Sequence, residues 1–418
     1  MNFSAVQCGP ADTAVREPLS GLAALMTMAF SGVDLAPLGA QLIARAQSAP
    51  DDANALMDLS TVLQLLGSKD VGLAAQAQAL QLQQQYRLPA CASAVAIRLL
   101  AVMAPGDLMA NTPLEFLLQG SDVTLEMLYI VPGLPFPPVM PEHDLLFIAV
   151  CESDQNQALL QQLDSLTRSW HRPVCNLPWR IGRTSRETAH ALLASEPAIC
   201  IPISARVNRH VLARICRQET GLTEVLADAS FPVIVRPVDS HAGHGLMKID
   251  APEAIAAYLR AMPEDEFYIS RFVDYRSADN LFRKYRVVLI DGRAYAGHMG
   301  ISDHWMIHYL NAGMTESAEK RAEEERFMRD FDAEFALRHA AAFAAISAHI
   351  GLDYLVIDCG ETRDGKLLVF ELDSGAVVHC MDPVALFPYK QAQMQKVFKA
   401  FRDMLSRAID SGVQARAG

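Results

Sequence analysis

One segment near the carboxyl end constrains the fold of this chain most, because it places three carboxylates on two adjacent apolar runs. The segment LDYLVIDCGETRDGKLLVFELDSG spans Leu352 to Gly375. Both runs have β-type composition, and Glu371 and Asp373, at positions i and i+2 of the second run, point to the same side of a strand. With Asp358 on the first run, they offer the oxygen ligands that Mg²⁺ prefers. The segment therefore predicts a strand pair that carries an acidic metal site.

A second segment, about a hundred residues earlier, combines a β-type run, a cation and a flexible loop. It reads FPVIVRPVDSHAGHG and spans Phe231 to Gly245. Gly243 and Gly245 allow backbone N–H groups to approach phosphate oxygens, and Arg236 is close enough in sequence to offset phosphate charge. Together the two segments predict a site for a nucleotide bound with Mg²⁺.

Length, charge and cysteine usage limit what such a site can serve. The 418 residues are enough for two or three domains, and 51% hydrophobic with 20% charged residues is typical of globular proteins. A net charge of -12 without a dense basic tract argues against nucleic acid as a partner. No apolar run reaches roughly 18 residues, which argues against a membrane partner. The scattered cysteines indicate a reducing compartment, so we predict a cytoplasmic protein.

The chain order predicts three domains. Residues 1–95 have helical periodicity, and the piece APDDANALMDLSTVLQLLGSKDVGLAAQAQALQL resembles one tetratricopeptide repeat, although such arrays usually need about three repeats. The alternative is a helical pair that only packs. Residues 96–215 alternate between strands and helices, including a helix from Thr112 to Gln119 capped near Asn111 and a linking helix from Val207 to Gln218. Residues 216–418 form the nucleotide-binding domain.

Within the last domain, the pattern predicts the parts of two lobes. Phe267 to Val273 is a strand whose end forms a hinge, and Asp291 and Gly292 are the turn of a hairpin between two β-rich runs. Residues 316–332 carry dense charges of both signs, which is typical of a solvated helix face. Ala340 to Ile350 is an apolar helix directly before the carboxylate strands. The predicted class is therefore α/β, with some α+β character.

The order of strand with cation, glycine loop, hinge, DG hairpin and carboxylate strands resembles the ATP-grasp superfamily of carboxylate-amine ligases, including its glutathione synthetase-like and ribosomal-protein-modifying members. The resemblance covers about Val174 to Pro383, and residues 96–163 resemble the domain that usually precedes that fold. Asp358, Glu371 and Asp373 match the family's Asp and its Glu-x-Asn metal motif. Asp373 stands where Asn is usual, and its added negative charge favours metal binding.

The resemblance also implies roles for basic residues. Arg236 stands where a phosphate-binding Lys is customary, and Arg183 or Arg186 lies near the place of a second Lys. The planar guanidinium fork is geometrically different from a point charge, so phosphate geometry is affected. Arg286 matches an Arg that reaches the transferred phosphate or the substrate carboxylate, the alternative being a surface residue of the hairpin. Arg286 and Arg236 are thus the implied catalytic residues.

The remaining implied contacts belong to the nucleotide and to the acceptor. The backbone near Ser270 pairs with adenine and Asp279 holds the ribose hydroxyls. The implied nucleotide set is Arg186, Arg236, Ser240, His241, Gly243, Gly245, Ser270, Arg271, Phe272, Val273 and Asp279. His241 and His244 either contact phosphate or are merely solvated loop residues. Candidates for the substrate pocket, some of which could equally be core, are Arg183, Lys284, His304, His308, Asn311, Ser374 and Gly375.

The implied reaction is ATP-dependent carbon–nitrogen bond formation between a small-molecule or peptide carboxylate and an amine, through an acyl phosphate, with release of ADP and phosphate. Two Mg²⁺ ions are expected, with Mn²⁺ as a substitute. A phosphotransferase using the same site, and a helical interaction scaffold with a non-catalytic nucleotide site, remain as alternatives. Oligomeric state is open, a homodimer being the commonest.

Overall fold

The computed structural model describes residues 17–137, 139–227, 229–240, 243–308 and 311–417, with backbone alone for 413–417. The chain divides into two compact units, with the boundary after Tyr86. The helices are α1 Leu22–Phe30, α2 Ala36–Ser48, α3 Ala53–Leu65, α4 Lys69–Leu82, α5 Leu114–Leu117, α6 Gln157–Thr167, α7 Pro178–Ile181, α8 Arg186–Leu193, α9 Arg209–Cys216, α10 Leu222–Val225, α11 Ile255–Ala261, α12 Ala318–Asp330, α13 Phe335–Arg338, α14 Ala340–Ile350 and α15 Lys390–Ala417. The strands are β1 Gln85–Leu88, β2 Ile97–Met103, β3 Val123–Tyr129, β4 Leu145–Ile148, β5 Val174–Cys175, β6 Ile199–Cys200, β7 Ser204–Asn208, β8 Val233–Pro237, β9 Met247–Ile249, β10 Glu266–Arg271, β11 Phe282–Ile290, β12 Arg293–Ser302, β13 Tyr354–Glu361 and β14 Leu367–Asp373.

The first unit is built from α1 to α4, which confirms the helical character predicted for this region. Asp52 caps α3 by accepting a hydrogen bond from the backbone N–H of Ala55 at 3.0 Å. The core of this first unit contains Leu25, Leu35, Leu42, Ala55, Leu59 and Val62. Gly72 of α4 lies so close to α3 that a Cβ there would be 2.9 Å from the Ser60 carbonyl oxygen. The tetratricopeptide resemblance stays a prediction.

The first sheet has the order β1-β3-β2-β4-β5, and in it β2 pairs parallel with β3 and β4, and β4 pairs parallel with β5. Its central strands are apolar and buried, as expected for strands covered on both faces. The helix predicted from Thr112 to Gln119 is wrong in length, since only α5 is helical. Asn111 does not cap it, because its side chain bonds both the N–H and the carbonyl of Ala104, at 2.7 and 2.8 Å.

A second, antiparallel sheet has the order β7-β10-β8-β9. The helix predicted to start at Val207 is wrong at its beginning, because Val207 lies in β7 and pairs with Phe267 of β10. The helix α9 starts after Asn208, whose side chain accepts from the N–H of Val211 at 3.0 Å. The predicted strand through Val273 ends earlier, at Arg271.

The third sheet carries the acidic segment and has the order β12-β11-β13-β14-β6, antiparallel except for β14 with β6. The predicted hairpin is confirmed, with Asp291 at φ 48° and Gly292 at φ 75° in its turn. The predicted helix before the carboxylate strands is α14, and it ends at Gly351 in the left-handed conformation. The α/β class is confirmed.

The densely charged region 316–332 forms α12, and most of its charges are exposed or half-exposed. Glu324 is the exception to the predicted solvated face, because it is fully buried. In the described ranges, no helix is both long enough and apolar enough to cross a membrane.

Candidate nucleotide and metal site

The third sheet brings the three predicted metal carboxylates onto neighbouring strands. Asp358 of β13 stands opposite Glu371 of β14, and Asp373 stands opposite Val356. On the other side of β13, Asp358 stands opposite Arg286 of β11. Strand pairing thus places a cation and three carboxylates within one patch of the sheet.

Asp358 is held by two cations. Its Oδ1 lies 2.8 Å from Arg286 Nε, and its Oδ2 lies 3.0 Å from Arg286 Nη2 and 2.7 Å from Lys284 Nζ. Burial raises the pKa of Asp358, but Arg286 and Lys284 outweigh burial and hold it far below its ordinary value. Burial likewise lowers the pKa of Arg286, and Asp358 more than reverses that effect. This pair is therefore ionised throughout the physiological range.

Glu371 faces a second pair of cations. Its Oε1 lies 2.8 Å from Arg186 Nη2 and 3.9 Å from Arg236 Nη1, and its side chain keeps 40% exposure. Burial raises the pKa of Glu371, but the two guanidinium groups bring it below its ordinary value. Burial, together with Arg186, lowers the pKa of Arg236 to about 10. Two arginines near one carboxylate leave positive charge uncompensated on this side of the site.

Asp373 differs from its two neighbours because no cation contacts it within the described ranges. Its Oδ1 accepts a hydrogen bond from the N–H of Gly375 at 2.7 Å. Burial and the nearby charge of Glu371 raise the pKa of Asp373 to about 7. A carboxylate kept next to another carboxylate in this way suits a divalent cation.

Among the residues whose placement is described, no group of three or more His, Cys, Asp or Glu side chains forms a ready metal cluster. Asp358 and Glu371 instead contact lysine and arginine, at 2.7 to 2.8 Å. The donor set nonetheless fits a hard cation, because it consists of oxygens and includes the uncompensated Asp373. Glu371 and Asp373, with Asp358 behind them, are the residues that could hold it.

The glycine loop connects β8 to β9 next to Arg236. Gly243 and Gly245 have φ of 76° and 63°, and a Cβ at Gly245 would lie 2.6 Å from the ring of Pro237. Arg236 Nε donates to Ser240 Oγ at 3.1 Å, and its Nη2 donates to the Ser240 carbonyl. Both glycines are thus required by backbone conformation. The predicted approach of phosphate to this loop stays a prediction. His241 lies outside the described residues.

The predicted adenine residues lie at the end of β10, and the predicted ribose residue lies just before β11. Ser270 and Arg271 lie in the strand and pair with β8. Phe272 and Val273 follow it, and the Phe272 ring meets Trp305 edge-on at 5.8 Å. Lys248 Nζ lies 5.0 Å from the same ring centre. Asp279 is held by Arg283 at 2.7 Å, which with a backbone hydrogen bond lowers its pKa to about 2.

Of the two predicted arginines, Arg186 reaches the site and Arg183 does not contact these carboxylates. Arg183 Nη1 donates to the His349 carbonyl at 2.6 Å, and its guanidinium lies 4.4 Å from the ring centre of Trp179. The reason is position in the chain: Arg183 lies in a 3₁₀ turn, whereas Arg186 is the first residue of α8.

The predicted acceptor residues fall into two places. Burial and the charges of Lys284 and Arg286 lower the pKa of His308. Asn311 accepts from the His308 N–H at 3.0 Å, while His304 is exposed and bonds its sequence neighbours Ser302 and Met306. On the other side are Ser374, whose Oγ is 3.8 Å from Cys151 Sγ, and Gly375.

Two functional candidates were missed by sequence reasoning. Glu152 follows β4, and its pKa is raised to about 7 by burial and by Asp239, while Arg186 lowers it. Its signal in the sequence is a carboxylate soon after a buried parallel strand, where ligands bind in many α/β sheets. His298 stands opposite Arg286 on β12, and burial and Arg286 hold its pKa well below the ordinary value. In the sequence, the only indication that His298 belongs to the site was its place in the side-chain alternation along a hairpin strand.

Comparison with known proteins gives similarity at the level of solved structures. No protein-family model matches this chain, and no curated protein matches it. The VanG D-Ala:D-Ser ligase from Enterococcus faecalis is 14% identical, over 74% of this chain and 99% of that chain, with a TM-score of 0.45. The D-alanine–D-alanine ligase from Coxiella burnetii is 10% identical, over 77% and 97%, with a TM-score of 0.46. The corresponding ligase from Bacillus anthracis, complexed with ATP, is 13% identical, over 76% and 99%, with a TM-score of 0.42. Similarity this low carries no inference about the reaction of this chain.

Proposed function

We propose that this chain is an ATP-dependent carbon–nitrogen ligase of the ATP-grasp type, which joins a carboxylate to an amine and releases ADP and phosphate. One observation supports this most: four cations and three carboxylates meet beside a loop with two left-handed glycines. The cations are Arg186, Arg236, Lys284 and Arg286. Their positive charges suit a strongly anionic ligand, as a nucleotide triphosphate is.

The charges suit phosphoryl transfer. In the proposed reaction, the γ-phosphoryl of bound ATP converts a carboxylate oxygen into a leaving group. The amine nitrogen then forms the C–N bond as phosphate leaves, and the amine loses a proton. Arg236, fixed on Ser240, would orient phosphate at the glycine loop. Arg286, fixed on Asp358, would offset charge that develops on the transferred group.

The carboxylates would serve the metal. When bound, Mg²⁺ or Mn²⁺ neutralises phosphate oxygens during transfer. Glu371 and Asp373 would hold it, with Asp358 supporting them. Lys284 and Arg286 keep Asp358 ionised, and Arg186 keeps Glu371 ionised, so both carboxylates are negatively charged at neutral pH. The substrates we propose are a small-molecule or peptide carboxylate and an amine, with the acceptor near His308.

Incubation with ATP, Mg²⁺ and a library of acids and amines tests the proposal. ADP release that requires both an acid and an amine supports ligation. A phosphorylated acid formed at full rate without any amine would instead identify a phosphotransferase. Release of AMP, or no nucleotide binding at all, contradicts the proposed function.

A matched pair of variants locates the reaction in this site. We expect Glu371→Gln to lower ADP release on the order of 100-fold, because it removes a charge that faces the nucleotide. His244→Ala serves as the control, since the His244 ring is 66% exposed and lies 3.5 Å from Glu264. Equal losses in the two variants would contradict the assignment of the metal carboxylates.

A further inference from the structure

The segment 374–389, which connects β14 to α15, forms part of the candidate site through its backbone. The N–H of Gly375 donates to Asp373 at 2.7 Å. The carbonyl of Val377 accepts from Arg286 Nη1 at 2.9 Å. Two charged groups of the site, one carboxylate and one guanidinium, therefore depend on the placement of this segment.

The far end of the segment is anchored by buried charges. Lys390 Nζ lies 3.0 Å from Asp382 Oδ2 and 3.3 Å from Glu324 Oε1, and the three side chains are only 4%, 6% and 0% exposed. Glu324 also accepts from the Tyr389 hydroxyl at 2.7 Å and from the Met299 N–H at 3.0 Å. This network joins the segment to α12, β12 and α15.

Apolar packing contributes little to fixing the position of residues 383–388. The residues Pro383, Val384, Ala385, Leu386 and Pro388 are exposed, and Phe387 is the buried apolar residue among them. A buried charge network with defined partners specifies one position more strictly than nonspecific apolar contact does. The position of residues 382–389 therefore depends on Lys390 and its two carboxylates, whereas Ala376 and Val378, nearer the site, are themselves buried.

The network also lies close to the site. Burial lowers the pKa of His379 to about 4; Asp382 opposes this effect, and Lys390 and Arg286 add to it. His379 thus stands within electrostatic reach of both the network and the site arginine. Its Nδ1 accepts from the Met381 N–H at 3.1 Å, which ties the ring to the same segment.

We propose that Lys390 is a positioning residue: by joining Glu324 to Asp382 it fixes the segment 374–389, and through the Val377 carbonyl it sets the orientation of Arg286. The functional part of this inference rests on the proposed function. The structural part stands on the contacts alone, so the two can fail separately.

Hydrogen exchange of backbone amides tests the structural part. Lys390→Met removes the charge at nearly constant volume, and Asp382→Asn is a milder second variant that leaves Lys390 paired with Glu324. We expect exchange in 374–389 to rise about tenfold or more, while amides of the first sheet keep their protection. The control is Lys399→Met, because Lys399 lies on the same helix but is 75% exposed and pairs with Asp403 at the surface. A uniform rise across the chain, or no rise in 374–389, would overturn the proposal.

Steady-state kinetics test the functional part. For Asp382→Asn we expect kcat of amine-dependent ADP release to fall about tenfold with KM for ATP changed less than about threefold, because Arg286 is displaced while the glycine loop is untouched. Unchanged kcat in a variant with a loosened segment overturns the positioning role. If the wild-type protein releases no ADP, the proposed function fails, and the exchange pattern still decides whether Lys390 fixes the segment.

Discussion

Replacing Asp358 by asparagine leaves the charges of Arg286 and Lys284 without the carboxylate that they share. Asp358 is 5% exposed and accepts from both cations at 2.7 to 3.0 Å. Breaking a buried ion pair by removing one partner costs about 3–5 kcal/mol. At roughly 2–4 °C per kcal/mol for a large domain, we expect the melting temperature to fall by about 6–20 °C.

The effect has a defined pH dependence. The pKa of Asp358 in the folded protein lies below its ordinary value of 3.8. A carboxylate with a lowered pKa contributes stability above its ordinary pKa, and this contribution is lost as pH falls toward the folded value. The wild type and Asp358→Asn should therefore differ fully at pH 7, and the difference should shrink below about pH 4.

Thermal unfolding followed by circular dichroism measures both effects. Asp403→Asn is the control, because it breaks an exposed pair with Lys399 and should lower the melting temperature by no more than about 2 °C. Adding Lys284→Met to Asp358→Asn removes one stranded cation and should recover about 0.5–3 kcal/mol of stability. Asp358→Asn melting like the wild type, or a double variant no more stable than the single one, would contradict the stabilising role of this buried pair.

Two further predictions concern the site. In the presence of a chelator, Asp373→Asn should stabilise the protein at pH 7 by at most roughly 4 kcal/mol, because the raised pKa of Asp373 means that the wild type loses stability as pH rises from about 4 to 7. Denaturant titrations at pH 5 and pH 8 measure the difference in unfolding free energy. An equal difference at both pH values would contradict the raised pKa of Asp373. Gly245→Ala should weaken binding of Mg-ATP at least about tenfold, because its Cβ would lie 2.6 Å from a proline ring. Gly365→Ala is its control, as Gly365 has a similar φ of 83° and nothing within 4 Å; calorimetry giving equal affinities for the two variants would argue against a loop role.

Local features of the fold were predictable because they depend on neighbouring residues. The DG turn, the apolar helix α14 and the two carboxylate strands follow from turn chemistry and from periodicity. Errors occurred where a side chain or a backbone segment bonds a part of the chain outside its own predicted element. The sequence predicts that Asn111 caps a helix, but its side-chain amide instead forms two hydrogen bonds with the backbone of Ala104. Val207 reads as helical, but pairing with β10 makes it a strand residue.

For the candidate site too, some features were predictable from short stretches of sequence and others were not. Residue types and spacing predicted that the three acids, the two loop glycines and Arg236 belong to one site, because alternation along a strand and the absence of a Cβ at glycine are properties of short stretches of chain. Arg286 was added by the resemblance to the ATP-grasp ligases. Only the tertiary structure decided which cation meets which acid: Arg186 rather than Arg183 at Glu371, Lys284 with Arg286 at Asp358, and no cation at Asp373 within the described residues. It also buried Glu324 of a charged helix against Lys390. Electrostatic pairing acts through space over a few ångströms, and distances between residues far apart in sequence are set by strand register and helix packing.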